Sequence, residues 1–588
     1  MNSKNGCIWI ALGLLTVTGS LAFIVDQATD LSGLNLTVDF VVVGGGTAGN
    51  VIANRLSEKE NYTVLVLEAG GSNQDVLDII VPFYCTKATP NTAQDWNYTT
   101  TAQTGLNGRS IPYPRGFVLG GSSSVNYMAY TRGSKDDYDR FARVSGDEGW
   151  GWESLIPYMR KNERFAPPVN QNTTEQFNPA VHGFNGVNTV SLPGFPRDTD
   201  ARVIEATSDA FPFNIDMNSG TPLGIGWMQS TIRNGSRSSS ATSYMAPQYI
   251  RRPNLHVMLN TRVTRILQSA AHPKPAFQTV EFVSSAGGPR FRVTASKEVI
   301  LSAGSIGTPH ILMHSGIGDS QSLASLGITP LHNLPSVGKN LTDHPFLRMS
   351  WLVNSTKTFD DAERNTTLAA DELYQWNTTR TGLLVDPTTS QLGWLRLPET
   401  QDFPDPSAGP LSAHFELLFA NGIVGTPPPT GHYFTISAGV VSPTSRGSLT
   451  LNSSNPFDPP LINPNLLGAE LDILIMREAI RSAQRFLEAP SWAEYIISPI
   501  SVNTTASNSE LDAYIADHST TLDHPVGTAA MSARGAEYGV VDPDLIVKGL
   551  GGLRIVDASV FPFIPAAHTQ AAVYTIAERA ADLIKSKY

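Results

Sequence analysis

Residues 39–68 constrain this chain more than any other stretch. Asp39 to Val43 is a short apolar run, β-branched except for Phe40, and reads as a buried parallel strand. Gly44, Gly46 and Gly49 then keep a G-x-G-x-x-G spacing with Thr47 inside it, and Ala48 to Leu56 can continue as a helix. Such glycines allow a tight turn and let backbone approach a pyrophosphate, which sits where free N–H groups and the helix dipole favour an anion. A second strand, Thr63 to Leu67, ends in Glu68, placed to accept hydrogen bonds from a ribose. The glycine motif alone fits an ordinary turn equally well. The order strand, helix, strand, acid favours a dinucleotide, and the acidic end argues for a ribose without a 2′-phosphate.

The 588 residues exceed one ordinary core, so two domains, or one with a large insertion, are expected. A net charge of −11 speaks against a nucleic-acid surface, because phosphate binding needs clustered cations. Residues 1–22 read as a signal peptide: Lys4 gives a basic start, Ile8 to Leu15 and Val17 an apolar centre, and Ser20-Leu21-Ala22 a small-x-small cleavage site. A signal anchor is the rival reading, since the apolar stretch runs to Val25, but Gly13, Thr16, Thr18, Gly19 and Ser20 dilute it. N-x-S/T sites, among them Asn35, Asn61, Asn172, Asn234, Asn354 and Asn452, agree with secretion; Asn97, between Trp96 and Tyr98, is a doubtful one. With Cys7 removed, Cys85 stands alone, so the mature chain forms no internal disulfide and Cys85 reads as a small core residue.

Further along, Arg115 to Asn126 packs small residues, including Gly120 and Ser122, as a segment that brings backbone close to something flat or anionic. Glu298 to Ser302 reads as another apolar strand, with a helix beginning near Pro309 and stopped by Gly316. His310 and His314 have i, i+4 spacing, but no third ligand accompanies them, so they read as packing histidines and no metal is expected. Gly552 to Ser559 contains a strand ending in Asp557, and Thr569 to Ile584 reads as a helix. His524, in His-Pro-Val-Gly-Thr, and His568, in His-Thr-Gln, offer proton acceptors that the chemistry of a redox cofactor needs. No G-x-S-x-G nucleophile elbow competes with them.

From Val38 to the C-terminus these stretches resemble the glucose–methanol–choline (GMC) family of flavin oxidoreductases, and within it fungal aryl-alcohol oxidases. The resemblance rests on the glycine fingerprint with Glu68, on Gly116–Gly133, on Gly304–Gly318, and on Val540–Asp544 with Gly552–Asp557. Asp95-Trp96-Asn97-Tyr98, Gly108–Ile111 and Arg237–Ser240 carry the closer kinship, which pyranose dehydrogenases share. It implies an α/β fold, α+β overall: a discontinuous Rossmann-like FAD-binding domain (38–160, 230–335 and 538–588) with an inserted substrate-binding domain (161–229 and 336–537) containing an antiparallel sheet. It implies FAD, with Val263, in the strand-like 257–267 segment, near the adenine and Asn126, Asp557, Thr569 and Gln570 along the flavin. Relatives that bind flavin covalently use a histidine where this chain has Val125, so FAD is expected to be non-covalent.

The resemblance also gives roles to the two histidines. His524 takes the hydroxyl proton of an alcohol while the carbon-bound hydrogen leaves as hydride to flavin N5, and His568 orients the alcohol oxygen. Tyr98, Glu416 and Asp523 belong to the implied substrate site. Aryl-alcohol oxidases carry an aromatic where Asp523 stands, and a second tunnel aromatic is replaced within Gly422–Gly425, so a more polar entrance is expected. Phe117 replaces a basic residue of the flavin-loop signature. The leading expectation is a secreted, extracellular oxidase of primary aromatic or allylic alcohols that reduces O2 to H2O2. A pyranose or glucose dehydrogenase passing electrons to quinones is the alternative, and a family lyase that keeps FAD without a redox step is a third. Small alcohols with O2 or a quinone are the expected partners; nucleic acid and, for the mature form, membranes are not.

Overall fold

In the computed structural model, which describes residues 24–25, 37–173, 176–270, 274–398, 403–503 and 505–588, the fingerprint strand Val38–Val43 lies inside a parallel sheet. Phe40 to Val43 pair with Val64 to Leu67 on one side, and Val41 to Val43 pair with Val299 to Leu301 on the other. Strands covered on both faces must be apolar at nearly every position rather than at alternate ones, which is what the valine run supplies. Ile24–Val25 and Leu255–Met258 extend the sheet beyond Val64–Leu67, and Leu553–Ile555 joins in parallel beside Phe291–Leu301. The chain therefore leaves this sheet after Leu67 and again after Leu301, with long stretches between. The expected leader, residues 1–22, lies outside the described residues.

Three sequence expectations shift. The strand expected from Glu298 begins at Phe291, because its first half pairs antiparallel with Ala276–Val283 while its second half enters the parallel sheet. The strand-like 257–267 segment divides into Leu255–Met258 and Arg262–Ala270 around Asn260, whose φ of 49° cannot belong to a strand. The helix expected to start near Pro309 runs Gly304–His314 with Pro309 inside it. Proline has no N–H for the carbonyl four residues back. Here that carbonyl, on Ser305, accepts the Thr528 hydroxyl at 2.7 Å, so the helix tolerates the ring. The C-terminal helix runs Gln570–Lys587 and packs along Thr47–Leu56, with Arg55 clamped on Glu578 at 2.7 Å.

A second sheet of seven strands is antiparallel throughout, in the order Ile496–Pro499, Pro345–Val353, Tyr433–Val440, Phe415–Ala420, Thr389–Leu395, Gly224–Trp227, with Thr520–Thr521 also on Pro345–Val353. Its two faces separate by the period of two that strands impose. Leu347, Met349 and Trp351, with Leu417, Phe419 and Ile436, pack on Ile475, Met476 and Ala479 of the helix Glu470–Phe486. Each such side chain, fully buried, contributes roughly 1.5–3 kcal/mol. The intervening Phe346, Arg348, Leu418 and Ser437 face a cavity shared with the parallel sheet. Among the described residues no helix is long and apolar enough to cross a membrane, and no three metal-ligating side chains cluster. His310 and His314 are buried against each other, Nε2 to Nε2 at 3.2 Å, and burial pushes them down to about 3 and about 4.

Candidate active site

Val43, Leu67, Ser302 and Asp557, at or just past the C-terminal ends of parallel strands, converge on one cavity that encloses about 2240 Å³ with its open mouth. Open α/β sheets bind ligands at this edge. Gly44 turns at φ 102°, and a Cβ there would stand 2.5 Å from the Ser302 carbonyl oxygen. Gly46 lines the cavity and leaves it open, with Thr47 beginning the helix beside it. Gly49 does not reach the cavity: a Cβ on it would lie 1.9 Å from the Gly44 oxygen, so it is the residue that lets the helix close on the turn. Gly120 is likewise one layer back, its N–H donating to the Gly45 carbonyl at 2.7 Å, while Gly121 and Ser122 form the surface. A Cβ on Gly121 would come within 2.8 Å of Gly46 Cα, so the two glycine segments touch.

Glu68 ends its strand facing the same cavity. Its carboxylate accepts the Gly45 N–H at 2.8 Å and the Gly70 N–H at 2.7 Å, which fix its direction. Burial pushes its pKa up to about 7 despite these bonds. Val263 lines the wall on the same side of the site, next to Thr261 and Arg262. Along the opposite stretch stand Asn126, whose side-chain oxygen accepts from Arg237 at 2.7 Å, and Asp557, which accepts the Gly304 N–H at 2.9 Å and the Thr308 hydroxyl at 2.6 Å. Thr569 and Gln570 complete that side. The Gln570 amide donates to Ala129 at 2.6 Å while its Oε1 is buried without a partner. A glycine cradle at a helix start, an acid at the second strand and an unpaired buried acceptor along the wall fit a dinucleotide cofactor. Val125 stands in the lining where a covalent link would need a nucleophile.

The two histidines meet at the far wall. Their rings lie 4.9 Å apart at 83°, although 43 residues separate them in the chain. His568 is anchored by its own N–H on Thr131 Oγ1 at 2.8 Å and by Nε2 on Glu416 at 3.0 Å. Contrary to the sequence expectation, Glu416 therefore does not face the substrate space; it is wholly buried behind His568 and sets that ring's orientation. Burial, reinforced by His568, His344 and Arg115, holds His524 well below the ordinary histidine range, so its imidazole is neutral at pH 7. A neutral imidazole can accept a proton.

Sequence reasoning missed Asp343 and His344. Asp343 Oδ1 accepts the backbone N–H of both His344 (2.7 Å) and His524 (2.9 Å), and its Oδ2 accepts Tyr113 and Thr521, each at 2.6 Å. His344 Nδ1 sits 3.1 Å from His524 Nδ1. The only sequence signal was an Asp-His pair ahead of the strand Pro345–Val353, and nothing local ties it to a residue 180 positions away.

The substrate end is mixed in character. Tyr98 lines it and stacks on Trp96 at 5.6 Å and 4°, while Asn97 between them is exposed. Phe117 packs edge-on against Trp96 at 4.6 Å. Val424 takes up part of the wall where an aromatic was missing from the sequence. Asp523 lines the cavity beside His524 with φ 62°, and burial pushes its carboxyl up to about 7.

GMC oxidoreductase family models match residues 38–346 and 443–577. A pyranose dehydrogenase of Agaricus campestris is 42% identical over 584 residues, 95% of each chain. The structure of a variant of Aspergillus oryzae formate oxidase superposes with a TM-score of 0.88 at 31% identity, covering 95% of this chain and 99% of that one. A fungal aryl-alcohol oxidase structure gives 0.80 at 26%, covering 94% and 99%. With a fingerprint loop, an acidic strand end and a paired-histidine wall around one cavity, the chain belongs to the GMC family of FAD-dependent oxidoreductases.

Proposed function

We propose that this protein oxidises the CH–OH group of a small alcohol, with His524 as the general base and His568 orienting the hydroxyl. The single observation carrying this reading is the 4.9 Å approach of the two rings at the cavity wall. FAD held by the glycine loop, Glu68 and the Asn126–Asp557–Gln570 side supplies the hydride acceptor. His524 Nδ1 is occupied by His344, which leaves Nε2 to take the hydroxyl proton. His568 Nε2 is occupied by Glu416, which leaves Nδ1 for the alcohol oxygen. Such a positioned base contributes about 10²–10⁴-fold.

Between the expected substrates, the sugar reading is the better supported. Asp523 replaces the aromatic that an aryl-alcohol site uses, and the 42% identity is to a pyranose dehydrogenase. Primary aromatic or allylic alcohols, with O2 going to H2O2, remain the second reading, supported by the stacked Trp96 and Tyr98 at the cavity. Anaerobic mixing with glucose, benzyl alcohol and an allylic alcohol tests both: the flavin should bleach. A flavin that stays oxidised with every alcohol would point to the non-redox lyase instead. Peroxide yield in air, against reduction of a quinone, then identifies the electron acceptor.

The division into an FAD-binding part (38–160, 230–335, 538–588) and a substrate-binding part (161–229, 336–537) is part of the same proposal, as is export by a cleaved leader. N-terminal sequencing of protein from the medium should begin at Phe23, and an intact Met1 would reject cleavage.

A further inference from the structure

Asp523 is held by its backbone, and its carboxylate is left over. The Asp523 N–H donates to Thr521 Oγ1 at 2.7 Å, and its carbonyl accepts from Arg115 Nη2 at 2.5 Å. Arg115 thus makes its hydrogen bond to the main chain of Asp523 and none to its carboxylate. Oδ1 is buried with no hydrogen-bond partner among the described residues, yet the residue lines the substrate end of the cavity. A buried carboxylate without donors is costly, and such a group is normally found paired. A backbone explanation does not account for it: φ 62° suits glycine or asparagine as well as aspartate, and neither would bring an unpaired acid.

We propose that the Asp523 carboxylate accepts a hydrogen bond from a second hydroxyl of the substrate, adjacent to the one being oxidised, and so selects polyhydroxylated, sugar-like alcohols over aryl ones. This rests on the CH–OH reading above. The placement suits it: Asp523 directly precedes His524 in the chain, and both residues line the substrate end of the cavity. A site built to hydrogen-bond a hydroxyl also discriminates strongly against analogues that lack it, because its own polar group is then stranded.

The experiment is a cycle between side chain and substrate hydroxyl. Anaerobic flavin reduction is measured on the FAD-loaded wild type, Asp523→Asn and Asp523→Gly with glucose, its 2-, 3- and 4-deoxy analogues, and benzyl alcohol. Both variants accept a positive φ, so flavin content and melting temperature should match wild type. In wild type, removal of at least one hydroxyl should lower kcat/KM by ~10-fold or more, the scale of a lost charge-assisted hydrogen bond, and in both variants the same removal should cost less than ~3-fold. Benzyl alcohol, which has no second hydroxyl, should lose less than glucose does in both variants. Equal losses on glucose and benzyl alcohol would make Asp523 merely structural and overturn the proposal. So would a deoxy penalty that persists in both variants, or a wild-type preference for an amino alcohol over glucose. Failure of every alcohol to reduce the wild-type flavin would instead remove the CH–OH reading, and this inference with it.

Discussion

The Nδ1 atoms of His344 and His524 lie 3.1 Å apart, and both side chains are held neutral, His344 at about 3 through burial and the neighbouring His568. Two neutral imidazoles in such contact share one N–H. If His524 is to accept a proton at Nε2, its own Nδ1 must carry that hydrogen and His344 Nδ1 must receive it. With His344 as that acceptor the tautomer of His524 is fixed, which makes His344 a positioning residue.

His344→Leu should therefore slow flavin reduction by an alcohol by at least ~10-fold with FAD retained, whereas His344→Asn, whose Oδ1 can replace the Nδ1 acceptor, should recover most of the rate. The alkaline-rising limb of the pH–rate profile should move in the Leu variant and return in the Asn variant. A merely structural His344 would change melting temperature and leave that limb in place.

His524→Ala should fold, remain yellow and slow flavin reduction by at least ~10². His568→Ala should slow it too, and the double variant should lose less than the product, since both act on one oxygen. Single-turnover reduction near the native rate in His524→Ala would reject it as the base.

Val125 offers no nucleophile at the cofactor wall, so acid precipitation should release the flavin into the supernatant. Colour left in the washed pellet would show a covalent attachment through some other residue.

Gly121→Ala tests the cradle rather than the chemistry. Its Cβ would press to 2.8 Å on Gly46 Cα at a φ of 53°, pushing apart the two glycine segments that bound the cofactor space. The purified variant should contain less FAD and bind added FAD more weakly, while His524→Ala keeps its FAD. Equal flavin content in Gly121→Ala and wild type would show that the close contact is not needed.

The fingerprint was legible because its logic is local: the strand, turn, helix and acid lie within residues 38–68, and each residue type has a backbone reason to be there. The two histidines could be singled out by their short motifs, but their 4.9 Å contact could not, since it depends on the second sheet meeting the C-terminal segment. Glu416 was placed at the substrate site by the family resemblance, which gives a position and not a depth: it shares the cavity-side face with Leu418, yet His568 stands in front of it. His344 and Asp343 escaped because their partners lie across the chain. The Ser305–Thr528 bond that accommodates Pro309 was hidden for the same reason, so a proline that looked like a helix start lies inside a helix.

The last prediction concerns stability away from the site. His182 is buried between two carboxylates, Nδ1 on Glu163 at 2.9 Å and Nε2 on Asp216 at 2.7 Å, and Arg132 also pairs with Glu163 at 2.6 Å. With both ring nitrogens facing acceptors, the charged imidazolium is favoured: burial alone would lower its pKa, but the hydrogen bonds and charges of Asp216 and Glu163 outweigh it and raise the pKa. Both carboxylates are held below their usual range. A histidine whose folded pKa lies above its unfolded value of about 6.5 binds extra proton in the folded state. Its stabilisation is fully present below that value and is lost as pH rises through the folded pKa, with a slope of at most ~1.4 kcal/mol per pH unit. His182→Gln cannot titrate, and the two carboxylates stay ionised across this range. The melting-temperature gap between wild type and His182→Gln should therefore be widest below about pH 6.5 and narrow steadily above it. A gap that stays constant from pH 5 to pH 9, or widens with pH, would mean that His182 is neutral in the fold and that the cluster is held by Arg132 alone.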